Sequence, residues 1–256
     1  MRFSKLLAAT AALAVLAPVV ALSQTSSSSQ APASKPKSTT TTSAAATKSP
    51  YDRTLLKPAL LKDKAPDTFQ VKFETTRGEF TITVNRAWSP LGADRFYNLV
   101  KHHYFDNARI FRVVPGFVAQ FGISAYPPVT AAWRTATIKD DPRNQSNKRG
   151  SIVFATSGPN TRTTQLFINM KDNSFLDSQG FTPFGTVDGN GMNVVEMFYD
   201  QYGDNAGLDQ EPMEKGGEGY IAQKWPKLDT IKSATLVEKA ASAPAPATKP
   251  AAKPSN

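Results

Sequence analysis

The sequence predicts a mainly β domain, closed or nearly closed, in which many short strands carry the core and two helices stand apart. Three observations predict it. Apolar segments of four or five residues recur between Gly, Pro and Asn breaks. Residues 70–84 alternate apolar and polar side chains on either side of Arg77-Gly78, the pattern of a hairpin with one buried face. Helical i, i+3, i+4 spacing is confined to two segments, and no unit repeats at a fixed period.

In chain order, Met1-Arg2-Phe3-Ser4-Lys5 is a short cationic start to the apolar run Leu6–Leu22, which small polar residues follow. This is the layout of a secretory signal over residues 1–23, with cleavage expected after Ser23. The run contains Pro18 and falls short of the ~20 residues of a spanning helix. Residues 24–66 read as a linker: up to Pro50 they are almost all Ser, Thr, Ala, Pro and Lys, too polar to repay ordering. The folded domain is expected over 67–239, and residues 240–256 repeat the Ala/Pro/Lys composition as an extended tail.

Within the domain, Val71, Phe73 and Thr75 form one face of the hairpin, continued by Phe80, Ile82 and Val84. Ser89-Pro90 places a capping hydroxyl before a first-turn proline, and Phe96, Leu99 and Val100 predict a helix to about His102. Phe111–Val114, Gly116–Gln120, Ser151–Ala155 and Gln165–Asn169 read as strands. Met192, Val195, Phe198 and Tyr199 mark the second helix, and Ile231, Ala234 and Leu236 the last strand. Gly216-Gly217-Glu218-Gly219 is expected to be a flexible loop, since it lacks the Lys-Ser/Thr of a phosphate loop. Asp140-Asp141 reads as a solvated loop pair, and His102-His103 as helix-end residues rather than metal ligands.

Composition narrows the chemistry. The chain has 256 residues, no cysteine and two histidines, which excludes disulfides, thiol chemistry and a multi-histidine metal site within one chain. The net charge of +9 invites a nucleic-acid reading. Seven basic residues and no acid lie in 1–50 and 240–256, however, leaving 23 basic against 21 acidic side chains between them. The domain is nearly neutral, so nucleic acid is not an expected partner.

Four segments then appear in one order. They are Phe111-Arg112-Val113-Val114-Pro115-Gly116-Phe117-Val118-Ala119-Gln120; Arg149-Gly150-Ser151-Ile152-Val153-Phe154-Ala155; Ser157-Gly158-Pro159-Asn160 with Thr164-Gln165-Leu166-Phe167-Ile168-Asn169; and Phe175-Leu176-Asp177 with Phe184-Gly185-Thr186-Val187. Together they resemble the cyclophilin family of peptidyl-prolyl isomerases, in its bacterial extracytoplasmic branch. The resemblance spans roughly 170 residues by these motifs and their flanks. It implies a closed eight-stranded antiparallel β-barrel capped by two α-helices, and an isomerase of X-Pro bonds that assists folding of proteins in the periplasm or outside the cell. It implies a monomer without cofactor or metal, whose partners are proline-containing polypeptides and which is not stably inserted in the membrane once its signal is removed.

By the same resemblance Arg112 matches the catalytic arginine and Gln120 the glutamine that holds the substrate backbone. Phe117, Val118, Phe167 and Leu176 match the hydrophobic pocket, Ala155 and Thr156 the strand edge that receives the peptide, and Gln165 a supporting groove residue. Phe175 stands where many relatives carry a rim tryptophan, and Phe181 falls near the family's pocket histidine. Phe121 interrupts the usual Q-G-G, and 123–145 fits the pattern poorly, so a change in the groove beside Gln120 is expected there. These departures keep open an alternative, a catalytically weak module that binds proline-containing peptides.

Overall fold

The computed structural model describes residues 49–237. The expected signal, most of the expected linker and the C-terminal tail lie outside the described residues. Eight strands form one curled antiparallel sheet: β1 (Thr68–Thr75), β2 (Gly78–Asn85), β3 (Ile110–Val114), β4 (Val118–Phe121), β5 (Ser151–Phe154), β6 (Leu166–Asn169), β7 (Pro183–Val187) and β8 (Ile231–Leu236). Their order across the sheet is β3-β4-β6-β5-β7-β2-β1-β8. The edge strands β3 and β8 share no ladder. They meet near a single bridge, Arg109 to Thr230, where Ile110 N–H donates to the Asp229 carbonyl and Ile231 N–H to that of Ala108. The sheet is therefore curled and pinned at one seam, where a closed barrel was expected.

The hairpin follows its alternation: Val71 pairs with Ile82 and Phe73 with Phe80, whose rings stack at 5.0 Å. Helix α1 (Pro90–Lys101) lays Phe96 into this core, 5.1 Å from Phe184 and 5.8 Å from Phe105. Its start differs from expectation, because Ser89 makes no side-chain cap. Asp141 supplies the acceptors instead, taking the N–H groups of Leu91 and Gly92 and the Ser89 hydroxyl. Asp141 is thus buried and structural, not half of a solvated pair. A carboxylate at a helix N-terminus satisfies donors that have no partner within the helix.

Four further α-helices are present among the described residues, where the sequence marked one: α2 (Pro127–Trp133), α3 (Gly191–Val195), α4 (Gly203–Leu208) and α5 (Gln210–Lys224). The Gly216–Gly219 run lies inside α5, which bends at Gly217 (φ 55°). A Cβ on Gly217 would lie 2.8 Å from the Pro127 ring, so the glycine permits close packing on α2 rather than a loose loop. Residues 51–66, expected in the linker, are ordered through two 3-10 turns. Leu55 is 1% exposed, its carbonyl accepts the Trp133 indole N–H at 2.8 Å, and the Ala65 N–H donates to Asp94. The leucines of this segment, Leu55 buried and Leu56 and Leu61 packed against the core, hold it to the domain where a linker was expected.

Candidate active site

Register builds the site. Arg112 on β3 pairs with Gln120 on β4, Gln120 with Phe167 on β6, and Phe167 with Val153 on β5, so one row of side chains crosses four strands on the outer face. Val118 lies two residues from Gln120 on that same face, while Ala119 and Phe121 turn into the core. Arg112 reaches the row because the β3–β4 register shifts between Ile110 and Arg112. Ile110 and Val113 pack in the main core, leaving Phe111 and Arg112 consecutively outside it. Such bulges re-aim a side chain at the cost of one ladder position.

Val118, Val153, Phe167 and Leu176 form a small apolar cluster separate from the main core, with Phe117, Ala155 and Phe181 packed around it. A cavity of about 170 Å³ opens on this cluster, lined also by Arg112, Gln120 and Thr156. It is smaller than the ~300 Å³ at which drug-sized sites begin and suits one compact apolar group. Phe181 meets Phe167 edge-on at 5.5 Å. Phe175 does not line the cavity. It stacks on Phe117 at 6.0 Å and is 54% exposed, which makes it an outer rim.

The loop bearing Phe175, Leu176 and Phe181 is a 3-10 turn, Ser174–Gln179, closed by Gly180 in the left-handed region. Asp177 fastens it, accepting from the Ser146 hydroxyl at 2.5 Å and from the Asn147 backbone and side chain at 2.9 and 2.7 Å. Burial raises the Asp177 pKa, but these bonds outweigh it and hold the carboxyl below its ordinary value. Asn147 also donates to the Phe181 carbonyl at 3.0 Å, so one polar knot fixes both sides of the socket.

The polar side of the groove is continuous. Arg112 Nη1 donates to Gln120 Oε1 at 3.2 Å, and Gln120 Nε2 to Gln165 Oε1 at 2.9 Å. The Arg112 guanidinium also sits 5.5 Å from the Phe117 ring centre. Gln165 lies outside the apolar socket, in a second, polar cavity of about 190 Å³ that shares Gln120, Ala155 and Thr156 with it and includes Thr161, Thr163 and Gln210.

Two expectations change. β5 is an interior strand, paired with β6 and β7, so Ala155 and Thr156 are a short extension past its end and not a free edge. The Ala155 N–H is already spent on the Gln165 carbonyl. Phe121 does not line the groove, since its ring packs in the core 5.8 Å from those of Phe73 and Phe105. The sequence reading missed Asp204 and Gln210, which reach the groove from α4 and α5. Asp204 accepts from Arg112 Nε at 2.6 Å and Gln210 from Gln165 Nε2 at 2.8 Å. Neither falls in a motif, and their segment carries no strong periodicity that marks it as packed.

The family model for cyclophilin type peptidyl-prolyl cis-trans isomerases matches residues 70–216. A peptidyl-prolyl cis-trans isomerase of Acinetobacter baylyi is 31% identical over 157 residues, covering 56% of this chain and 81% of that protein. Peptidyl-prolyl cis-trans isomerase A of Dickeya dadantii is 28% identical over 148 residues, covering 56% and 77%. Among solved structures, a cyclophilin type isomerase of Cryptosporidium parvum superposes with a TM-score of 0.50 at 19% identity, covering 68% of this chain and 99% of that one, a likeness of fold. With its motifs, its curled eight-stranded sheet and the match over most of the folded region, the chain belongs to the cyclophilin-type peptidyl-prolyl cis-trans isomerase family.

Proposed function

We propose that this isomerase turns X-Pro bonds of proteins folding outside the cytoplasm, with the prolyl ring in the apolar socket and Arg112 acting on the twisting bond. The observation that carries the reading is the row in which Arg112 and Gln120 border a cavity walled by Val118, Phe167 and Leu176.

The chemistry asks for little else. Amide resonance sets a barrier of ~18–20 kcal/mol, and no bond is made or broken when it is crossed. As the bond twists, the prolyl nitrogen regains its lone pair, and a fixed cationic donor then binds the twisted state more strongly than the planar one. Arg112 is permanently charged and holds five N–H groups in a rigid fork, so it donates without a proton transfer. Gln120 Nε2 keeps a second N–H beyond the one given to Gln165 and can hold a substrate carbonyl. The apolar walls fix the ring while the acyl part rotates.

The cationic and apolar start of the chain supports export to the periplasm or the medium, with cleavage after Ser23. No described helix is long and apolar enough to cross a membrane. A second reading, peptide binding with little turnover, draws on Phe181, which gives the socket a ring without a polar edge. Exchange kinetics on a proline peptide, wild type against Arg112→Ala, test the first reading, and titration with the same peptide separates the second. A pure binder shifts peptide signals without accelerating exchange.

A further inference from the structure

The segment after α3 closes the polar line of the groove into a ring. Arg112 Nε donates to Asp204 at 2.6 Å on one side. On the other, the line runs from Arg112 through Gln120 and Gln165 to Gln210, whose Nε2 donates to the Gly207 carbonyl at 2.8 Å. Both ends lie within residues 203–210.

The direction of this ring is forced. A guanidinium has no acceptor and a carbonyl no donor, so each of the three amides between them satisfies both neighbours in one orientation only. Gly207 adds a steric constraint, because a Cβ there would lie 2.5 Å from Arg112 Cδ, 2.8 Å from Cγ and 3.0 Å from Cβ. The stem of Arg112 therefore lies in a slot that the missing side chain leaves. The segment is held in turn by its own core, where Ala206, Met213 and Ile221 pack with Phe111. Glu218 and Glu214 pair with Arg109 and Arg134.

We infer that residues 203–210 are a brace that positions Arg112 for isomerisation, with Asp204 as the positioning residue and Gly207 as the spacer. Asp204 takes Nε and Gln120 takes Nη1, so the guanidinium is held at two of its nitrogens and its Nη2 group meets the prolyl amide. An arginine on an open strand samples many rotamers, and one held at both ends has spent that freedom before substrate arrives. The inference rests on the reading that Arg112 carries the reaction.

The test compares full-length wild type, Arg112→Ala, Asp204→Ala, Asp204→Asn and Gly207→Ala. Asp204 has a 60% exposed side chain, so its variants fold. Asp204→Ala is expected to lower kcat about tenfold with KM within about twofold, the signature of an interaction used in the transition state. Asp204→Asn keeps an acceptor for Nε and recovers at least half of the wild-type rate. Gly207→Ala displaces the stem and costs on the order of tenfold to 10²-fold in kcat. The Arg112 Nε–H signal in NMR, protected from solvent exchange in the wild type, loses protection in Asp204→Ala and keeps it in Asp204→Asn. Wild-type kcat in Asp204→Ala or in Gly207→Ala while Arg112→Ala is inactive overturns the brace, as does an Asp204→Asn as slow as Asp204→Ala. Wild-type rates in Arg112→Ala overturn instead the reading on which it stands.

Discussion

Arg162 Nη2 and Asp141 Oδ2 lie 3.1 Å apart, each side chain 3% exposed, in a buried ion pair that also caps α1. Removing one partner of such a pair leaves a buried charge without compensation, at a cost of about 3–5 kcal/mol. Asp141→Ala is therefore expected to lower the Tm by roughly 6–20 °C for a domain of this size. Thermal unfolding followed by circular dichroism measures it. A change under about 2 °C contradicts the structural role given to Asp141.

Adjacent residues on the socket loop are expected to behave oppositely. Phe175 is 54% exposed and touches the rim through Phe117, whereas Leu176 is 5% exposed inside the apolar cluster. Phe175→Ala is expected to change stability by less than ~0.5 kcal/mol and to weaken peptide binding severalfold. Leu176→Ala removes packed methyl groups and is expected to cost about 2–5 kcal/mol. Urea unfolding of the two variants, read beside peptide titration, checks the contrast.

Asp52 ties the N-terminal segment to the domain and gives it a pH dependence. Its carboxylate accepts from the Thr54 N–H at 2.9 Å and lies 2.7 Å from His102 Nδ1. Burial raises its pKa, yet the bonds to Thr54 and His102 prevail and bring it from 3.8 down to about 2. Since the folded value lies below the unfolded one, this contribution is fully present above about pH 4 and is lost as pH falls toward 2. Melting curves from pH 5 to 2 are expected to fall less steeply for Asp52→Asn than for the wild type. Parallel curves count against the clamp.

Much of the groove was legible because the linear motifs carry it: Arg112, Phe117, Val118, Gln120, Phe167 and Leu176 all lie in the motif segments and line one cavity. A strand's period of two accounts for Val118 and Gln120 sharing a face, but not for Arg112, which a register shift re-aims, or for Leu176 on its 3-10 turn. What could not be read was whatever comes from far along the chain. Asp141 caps a helix that starts some fifty residues earlier, and no local pattern announces that partner. Asp204, Gly207 and Gln210 stand in a segment without a motif, and the Gly216–Gly219 run after it reads as a loop, although Gly207 and Gly217 permit close approach to Arg112 and Pro127. Residues 51–66 were hidden by the Ser/Thr/Ala/Pro/Lys run before them, although Leu55 is buried and Leu56 and Leu61 pack against the core.

The central claim is that one fixed guanidinium, beside a socket for proline, carries the catalysis. Exchange NMR on a proline peptide at saturating enzyme, wild type against Arg112→Ala, tests it most directly, because bound-state interconversion is read apart from affinity. Loss of one preorganised donor is expected to slow interconversion by roughly 10²–10³-fold while peptide affinity stays within a few-fold. Equal interconversion rates in the two proteins contradict the account.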